Sequence, residues 1–248
     1  MHLRRFFIVD EINLRDTVSL KDEERNHIVK VLRLKVGDEI SVFNGKGKEY
    51  KALIKSIQTR EVFCEIIEEI NRDTEAKLKI FLAFSIPKSD KIDFIIQKCT
   101  ELGVHSLIAF QSEYTVVDYT GKDVDKKLKR LRMIAINACK QSLRNFIPEI
   151  AYMNNFQSCV DCLKNKELKI ILYESEKEAK IKDVLNEFPN PKDIAIIVGS
   201  EGGFTEKEIE CATENGFKSV TLGRRILRAE TAAITASSII MYQYNELE

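Results

Sequence analysis

From Leu78 onward the chain alternates short, uninterrupted apolar runs with stretches of helical periodicity, a rhythm that few folds satisfy. Leu78–Phe84, Leu107–Phe110, Leu168–Tyr173, Ile194–Val198 and Ser219–Leu222 are too short for helices. Apart from Lys79, Lys169, Ser219 and Thr221 they are apolar at every position, as strands covered on both faces are. After the first run, Ile92, Ile95, Ile96, Cys99 and Leu102 recur at helical spacing, with Ser89 as N-cap and Gly103 as the stop. Residues 123–143 predict a second helix that buries Leu128, Leu131, Ile134, Ala135 and Ala138. Strands alternating with helices make a parallel sheet, so this part is α/β.

The first seventy residues read differently. Glu39–Phe43 and Val62–Ile67 are β-branched runs bounded by turn signals, and Asn44-Gly45 tolerates the positive φ of a tight hairpin turn. The polar stretch Glu68–Lys77 separates this β block from the α/β part.

Charge and cysteine usage narrow the function classes. The 39 Lys+Arg and 39 Asp+Glu cancel, which excludes a grossly basic nucleic-acid binder but not local clustering. Residues 121–144 hold eight basic side chains (Lys122, Lys126, Lys127, Lys129, Arg130, Arg132, Lys140, Arg144) against two acidic ones. The six cysteines include one CxxC pair, Cys159 and Cys162, with no second pair or nearby His to complete a zinc set. They read as reduced, small hydrophobes, and no metal is expected. No apolar run approaches the ~18 residues of a membrane helix, and the N-terminal apolar stretch is too short for a signal peptide. The chain is expected to be cytoplasmic.

Ligands of open α/β sheets bind beyond the carboxyl ends of the strands. Two such ends stand out. Gly199-Ser-Glu-Gly-Gly-Phe-Thr205 follows the run Ile194–Val198, and Thr205-x-x-Glu208 forms a capping box that opens a helix. Its glycines suit close backbone approach and positive φ, but the segment is neither GxGxxG nor a Walker loop. A GTPase or dehydrogenase lacks its fingerprint here. Leu222-Gly-Arg-Arg-Ile-Leu-Arg-Ala-Glu-Thr-Ala232 closes the last strand and runs into the final helix. Arg224, Arg225 and Arg228 at a helix start oppose the helix dipole, so they either pair with carboxylates such as Glu201 or meet an anionic partner.

These segments resemble the ribosomal RNA small subunit methyltransferase E family, of the SPOUT superfamily. The likeness runs through His27-Ile-Val-Lys-Val-Leu-Arg33, Lys35-Val-Gly-Asp38 and Phe43–Gly47, then Lys88, Lys91 and Gln97–Val104. It continues through Gln141-Ser, Arg144 and Pro148 to the GSEGGFT and LGRRILRAETA motifs. Ser200 stands where the family usually has Pro, Lys140 and Leu143 replace a common Glu and Gly, and Leu131 and Tyr114 replace a frequent Trp and Arg.

The resemblance implies a PUA-like RNA-binding β-barrel in residues 1–72. It implies a SPOUT methyltransferase domain in 73–248, mainly parallel sheet, with a deep trefoil knot. It implies S-adenosylmethionine as cofactor, bound by Leu172, Tyr173, Gly199, Glu201, Gly202, Leu222, Gly223, Ile226, Leu227, Thr231 and Ala232. The implied reaction is methylation of N3 of a uridine in 16S rRNA. Arg228 is then the candidate stabiliser of the anionic uracil, with Glu201 or Glu230 accepting the proton. RNA is expected to meet Arg4, Arg5 and Arg33 in the first domain and Lys126, Lys127, Lys129, Arg130 and Arg144 in the second. A homodimer is expected through the apolar last helix, where Ile234, Ile239, Ile240, Met241 and Tyr242 exceed one buried face. Two other readings stay open: a ribose 2′-O-methyltransferase on the same fold, and a non-catalytic RNA-binding protein.

Overall fold

Alternation of buried and exposed side chains organises the first seventy residues. The computed structural model describes residues 3–9, 11–87, 91–115 and 123–247, and they fall into two compact units. The first comprises residues 1–75 together with Cys139–Ile147. Its elements are β1 (Arg4–Phe7), β2 (Thr17–Lys21), α1 (Asp22–Asn26), a π-helical turn His27–Val31, β3 (Glu39–Phe43), β4 (Glu49–Ile57) and β5 (Glu61–Glu69). They form a five-stranded sheet in the order β1-β3-β4-β5-β2, with β1 parallel to β3 and the other pairs antiparallel. Phe6, Leu20, Ile28, Ile40, Val42, Ile54 and Val62 fill its core. Buried Tyr50 donates its hydroxyl to the Ile12 carbonyl at 3.1 Å, so the phenol is satisfied. The β3–β4 connection is longer than a two-residue turn. The Asn44 side-chain oxygen accepts from the N–H groups of Lys46 and Lys48 and organises a loop from Asn44 to Lys48.

Two arginines expected on an RNA-facing surface lie inside this unit. Arg5 donates from Nε to Glu49 at 3.0 Å, to the Cys139 carbonyl at 2.6 Å and to Asn145, and its guanidinium stacks 4.2 Å from the Phe43 ring centre. Arg144 donates twice to Glu75 at 3.0 Å, and Glu75 also accepts from the N–H groups of Asn145 and Phe146. Both arginines are buried. Their donors are directed at internal acceptors, which removes Arg5 and Arg144 from any phosphate-binding surface. Arg5 binds the Cys139–Ile147 segment to the sheet, and Arg144 binds it to Glu75.

The second unit comprises Ala76–Ala138 and Pro148–Glu248. Its elements are β6 (Lys79–Ser85), α2 (Lys91–Glu101), β7 (Ser106–Phe110), α3 (Asp123–Ser142, its last turn counted with the first unit), β8 (Glu149–Met153) and α4 (Phe156–Leu163). β9 (Leu168–Leu172), α5 (Ile181–Asn186), β10 (Asp193–Val198), α6 (Glu206–Glu214), β11 (Lys218–Val220) and α7 (Ala229–Gln243) complete it. The six strands are all parallel, in the order β11-β9-β10-β6-β7-β8. The five apolar runs form five of these strands. β8 is the sixth, an edge strand with Glu149 exposed and its other residues half-buried, and it lacks a continuous apolar run. α2 stops before Gly103, which has φ +92°. The expected cap Ser89, and Lys88 and Lys122, lie outside the described residues. Among those described, no helix is long and apolar enough to cross a membrane.

Candidate active site

Register brings the functional loops together. Leu172 of β9 pairs with Val198 of β10 on one side and Val220 of β11 on the other. Three strands therefore end at one level, and the Tyr173 N–H donates to the Val220 carbonyl at 3.1 Å just beyond it. The segments that emerge enclose a cleft of about 290 Å³, near the lower end of small-ligand sites. Of the residues expected to hold cofactor, Leu172, Tyr173, Gly199, Glu201, Gly202, Leu222, Gly223, Ile226, Leu227 and Ala232 line it. Thr231 does not; it is exposed on the first turn of α7. Glu174 and Thr221 also line the cleft but fall outside the expected set, although both directly follow these strand ends.

The glycine-rich segment is a tight turn. The Gly203 N–H donates to the Ser200 carbonyl at 3.0 Å, and the Ser200 hydroxyl accepts from the Gly202 N–H at 3.4 Å. Serine thus supplies a side-chain bond where proline would have fixed φ. Among Gly199, Gly202 and Gly203, only Gly203 has positive φ, +71°. Gly202 is needed for close approach: a Cβ there would sit 2.8 Å from the Tyr114 Cβ. The capping box forms as expected, with Thr205 accepting from Glu208 N–H and Glu208 accepting from Thr205 N–H at 2.9 Å. The other Glu208 oxygen accepts from the Glu113 N–H, which ties the segment preceding Tyr114 to the turn.

Charge at the mouth is arranged by a residue outside the expected set. Lys91, in the first turn of α2, places its ammonium 2.5 Å from Glu201 and 3.6 Å from Glu230. The hydrogen bond to Glu201 raises the Lys91 pKa above its ordinary value; the Glu201 and Glu230 charges add to this, while burial and Arg228 oppose it. Lys91 is therefore protonated throughout the neutral range. Arg228, the residue before α7, is exposed and makes no ion pair with the described residues. Its expected carboxylate partners are already held by Lys91.

The remaining basic candidates split. Arg4, Arg33, Lys126, Lys129 and Arg130 are exposed and Lys127 is half-buried; Arg130 pairs with Asp93. Cys64, Cys99, Cys139 and Cys159 are buried. Burial pushes the thiols of Cys64 and Cys99 up to about 12 and that of Cys139 to about 11, so they do not ionise at neutral pH. Cys159 is buried and Cys162 exposed, so the CxxC pair does not present two thiols to one site.

Comparison with known proteins gives this geometry its context. Residues 74–241 match a family model for an RNA methyltransferase domain, and residues 20–67 one for an RNA methyltransferase PUA domain. The chain is 37% identical to the ribosomal RNA small subunit methyltransferase E of Bacillus subtilis over 97% of each chain. The chain belongs to the ribosomal RNA small subunit methyltransferase E family. The Mesomycoplasma hyopneumoniae relative is 38% identical over 84% of this chain and 87% of its own. The methyltransferase E of Neisseria gonorrhoeae, solved bound to S-adenosyl methionine, superposes with a TM-score of 0.89 at 34% identity, covering 98% of both chains. The family's RNA methyltransferase domain, here α/β, and its PUA module are thus both present in this chain.

Proposed function

We propose that this chain transfers a methyl group from S-adenosylmethionine to N3 of a uridine in the decoding region of 16S rRNA. The observation that carries the reading is the meeting of three strand ends in one cleft, with Arg228 between the lining residues Leu227 and Ala229 and without an ion pair among the described residues. The cleft fits the cofactor chemically. Leu172, Val198, Leu222, Leu227 and Ala232 offer aliphatic walls for an adenine, and Ile226, 85% exposed, is an apolar side chain that a ligand would cover. Glu174 and Glu201 stand among the lining residues with Arg224 and Arg225, a charge set suited to a tail bearing both an ammonium and a carboxylate. When bound, S-adenosylmethionine supplies a methyl group on an electrophilic sulfonium.

The chain's own residues then have three tasks. Backbone and aliphatic groups of the cleft orient the methyl donor, since positioning dominates such a transfer. Arg228 stabilises the negative charge that develops on the uracil when N3 loses its proton. Glu201, exposed at the cleft, is the carboxylate placed to accept that proton; Glu230, 15% exposed in the first turn of α7, is less accessible. N3 lies on the Watson–Crick edge, so the uridine enters unpaired. Arg4 and Arg33 on the first unit (residues 1–72 as its RNA-binding module) and Lys126, Lys127, Lys129 and Arg130 on α3 supply cations for phosphates. The same reading includes a threaded, knotted C-terminal segment, in keeping with β11 at the sheet edge and α7 packed on α2, β6 and β10. It also includes a homodimer through α7, on which Ile234 and Ile239 are half-buried and Tyr242 is 75% exposed.

Calorimetry tests the cofactor half. S-adenosylmethionine should bind with a 1:1 stoichiometry per chain and no dependence on added divalent metal. Gly202→Val, whose side chain must displace Tyr114 from the turn, should weaken binding at least about 100-fold, an overpacking cost of roughly 3 kcal/mol. Unchanged affinity for that variant would remove the turn from the site.

A further inference from the structure

We infer that Lys91 is a positioning residue for methyl transfer: by engaging both Glu201 and Glu230, it leaves the Arg228 guanidinium free to meet the anionic base. The inference rests on the role given to Arg228 above.

Two helix N-terminal turns and one loop converge on this ammonium. Lys91 opens α2 after β6, Glu201 lies in the turn after β10, and Glu230 lies in the first turn of α7. Nothing near Lys91 in sequence requires it to reach Glu201, 110 residues away. Glu230 Oε2 is fully shielded from solvent and accepts no hydrogen bond among the described residues; the Lys91 charge at 3.6 Å is its compensation. Arg228 stands two residues before Glu230 and close enough for its charge to act on Lys91.

The group is therefore two cations and two carboxylates in mutual range, with both carboxylates assigned to one cation. A guanidinium presents a planar fork suited to carboxylates, so it competes strongly for them when they are vacant. Without Lys91, Glu201 and Glu230 would lose the cation they share, with the Arg228 charge in range of the same place. Arg228 would then be held in the ground state by the groups it should be free of. The benefit of a free Arg228 is realised as the uracil becomes anionic.

The test compares Lys91→Met, Lys91→Arg and the double variant Lys91→Met/Glu230→Gln in the full-length protein, with small-subunit rRNA as methyl acceptor. Lys91→Met should lower the single-turnover rate about tenfold or more, part of the 10²–10³ that one preorganised donor is worth. Its S-adenosylmethionine dissociation constant and melting temperature should stay close to those of the parent. Lys91→Arg, which can hold both carboxylates, should retain most of the rate. The double variant should be faster than Lys91→Met alone, because one of the two captors is gone. Exchange of the Arg228 Nε–H with solvent, followed by NMR on the protein without cofactor, should slow in Lys91→Met and recover in the double variant. Should Lys91→Met not fold, Lys91→Gln carries the same expectations.

A double variant no faster than Lys91→Met, or Arg228 exchange that does not respond to Lys91, would overturn the inference and leave Lys91 a structural tether. Loss of rate in Arg228→Ala together with parental rate in Lys91→Met would overturn it while sparing the role of Arg228. Parental rate in Arg228→Ala would remove that role itself.

Discussion

Replacing Arg228 by alanine should slow single-turnover methyl transfer by about 10²–10³ while changing S-adenosylmethionine affinity only a few-fold. The methyl donor brings a positive sulfonium, so a neighbouring guanidinium gains nothing from the cofactor alone. Its benefit arises when the uracil ring carries negative charge, in and near the transition state. The geometry supports this division, because Arg228 is exposed and without an ion pair among the described residues. The rate deficit should shrink as pH rises toward the uridine N3 pKa, where hydroxide supplies the anion. Lys91 does not confuse that profile. Its pKa is raised above the ordinary 10.5 by Glu201, so its charge is constant below that pH and is lost only at higher pH. Parallel losses of rate and cofactor affinity in Arg228→Ala would make this arginine part of the loop's scaffold.

Removing Arg5, one of the two buried arginines of the first unit, should be strongly damaging to stability. Arg5→Ala is expected to cost about 3–5 kcal/mol, the usual penalty for leaving one member of a buried ion pair behind. Glu49, 1% exposed, would keep only Arg72 as an ion-pair partner among the described residues, and the Cys139 carbonyl and Asn145 side chain would lose their Arg5 donor. Burial lowers the Arg5 pKa, chiefly by desolvation, yet the ordinary value is high enough that the group stays charged when paired with Glu49. Hydrogen exchange of the β3 and β4 amides reads this out directly. Protection reduced by less than about 1 kcal/mol would mean that the guanidinium is dispensable to the fold.

What the sequence makes legible is what local chemistry determines. Continuous apolar runs predict five of the six parallel strands, Thr205 and Glu208 predict the capping box, and Gly103 predicts the end of α2. Strand ends in the sequence also point to most of the cleft, because parallel strands deliver their following loops to one edge. Long-range pairings carry no such local signal. Arg5 looks like a surface cation beside Arg4, and its burial depends on acceptors 44, 134 and 140 residues away. Arg144 belongs by charge to a basic helix, but Glu75 draws it inward. β8 is half-buried at an edge and carries no continuous apolar signal. Lys91 stands in a recognisable block, yet nothing local indicates that two carboxylates from later loops will meet it.

The identity of the methylated atom is the most direct test of the proposed function. Nucleoside mass spectrometry should be run on 16S rRNA from cells lacking this protein, before and after treatment with the purified chain and S-adenosylmethionine. The expected result is 3-methyluridine, absent before treatment and restored to about one per rRNA molecule afterwards, and not restored by Arg228→Ala on the same time scale. A 2′-O-methylated nucleoside in its place, or no new methylated nucleoside despite measured cofactor binding, would contradict it.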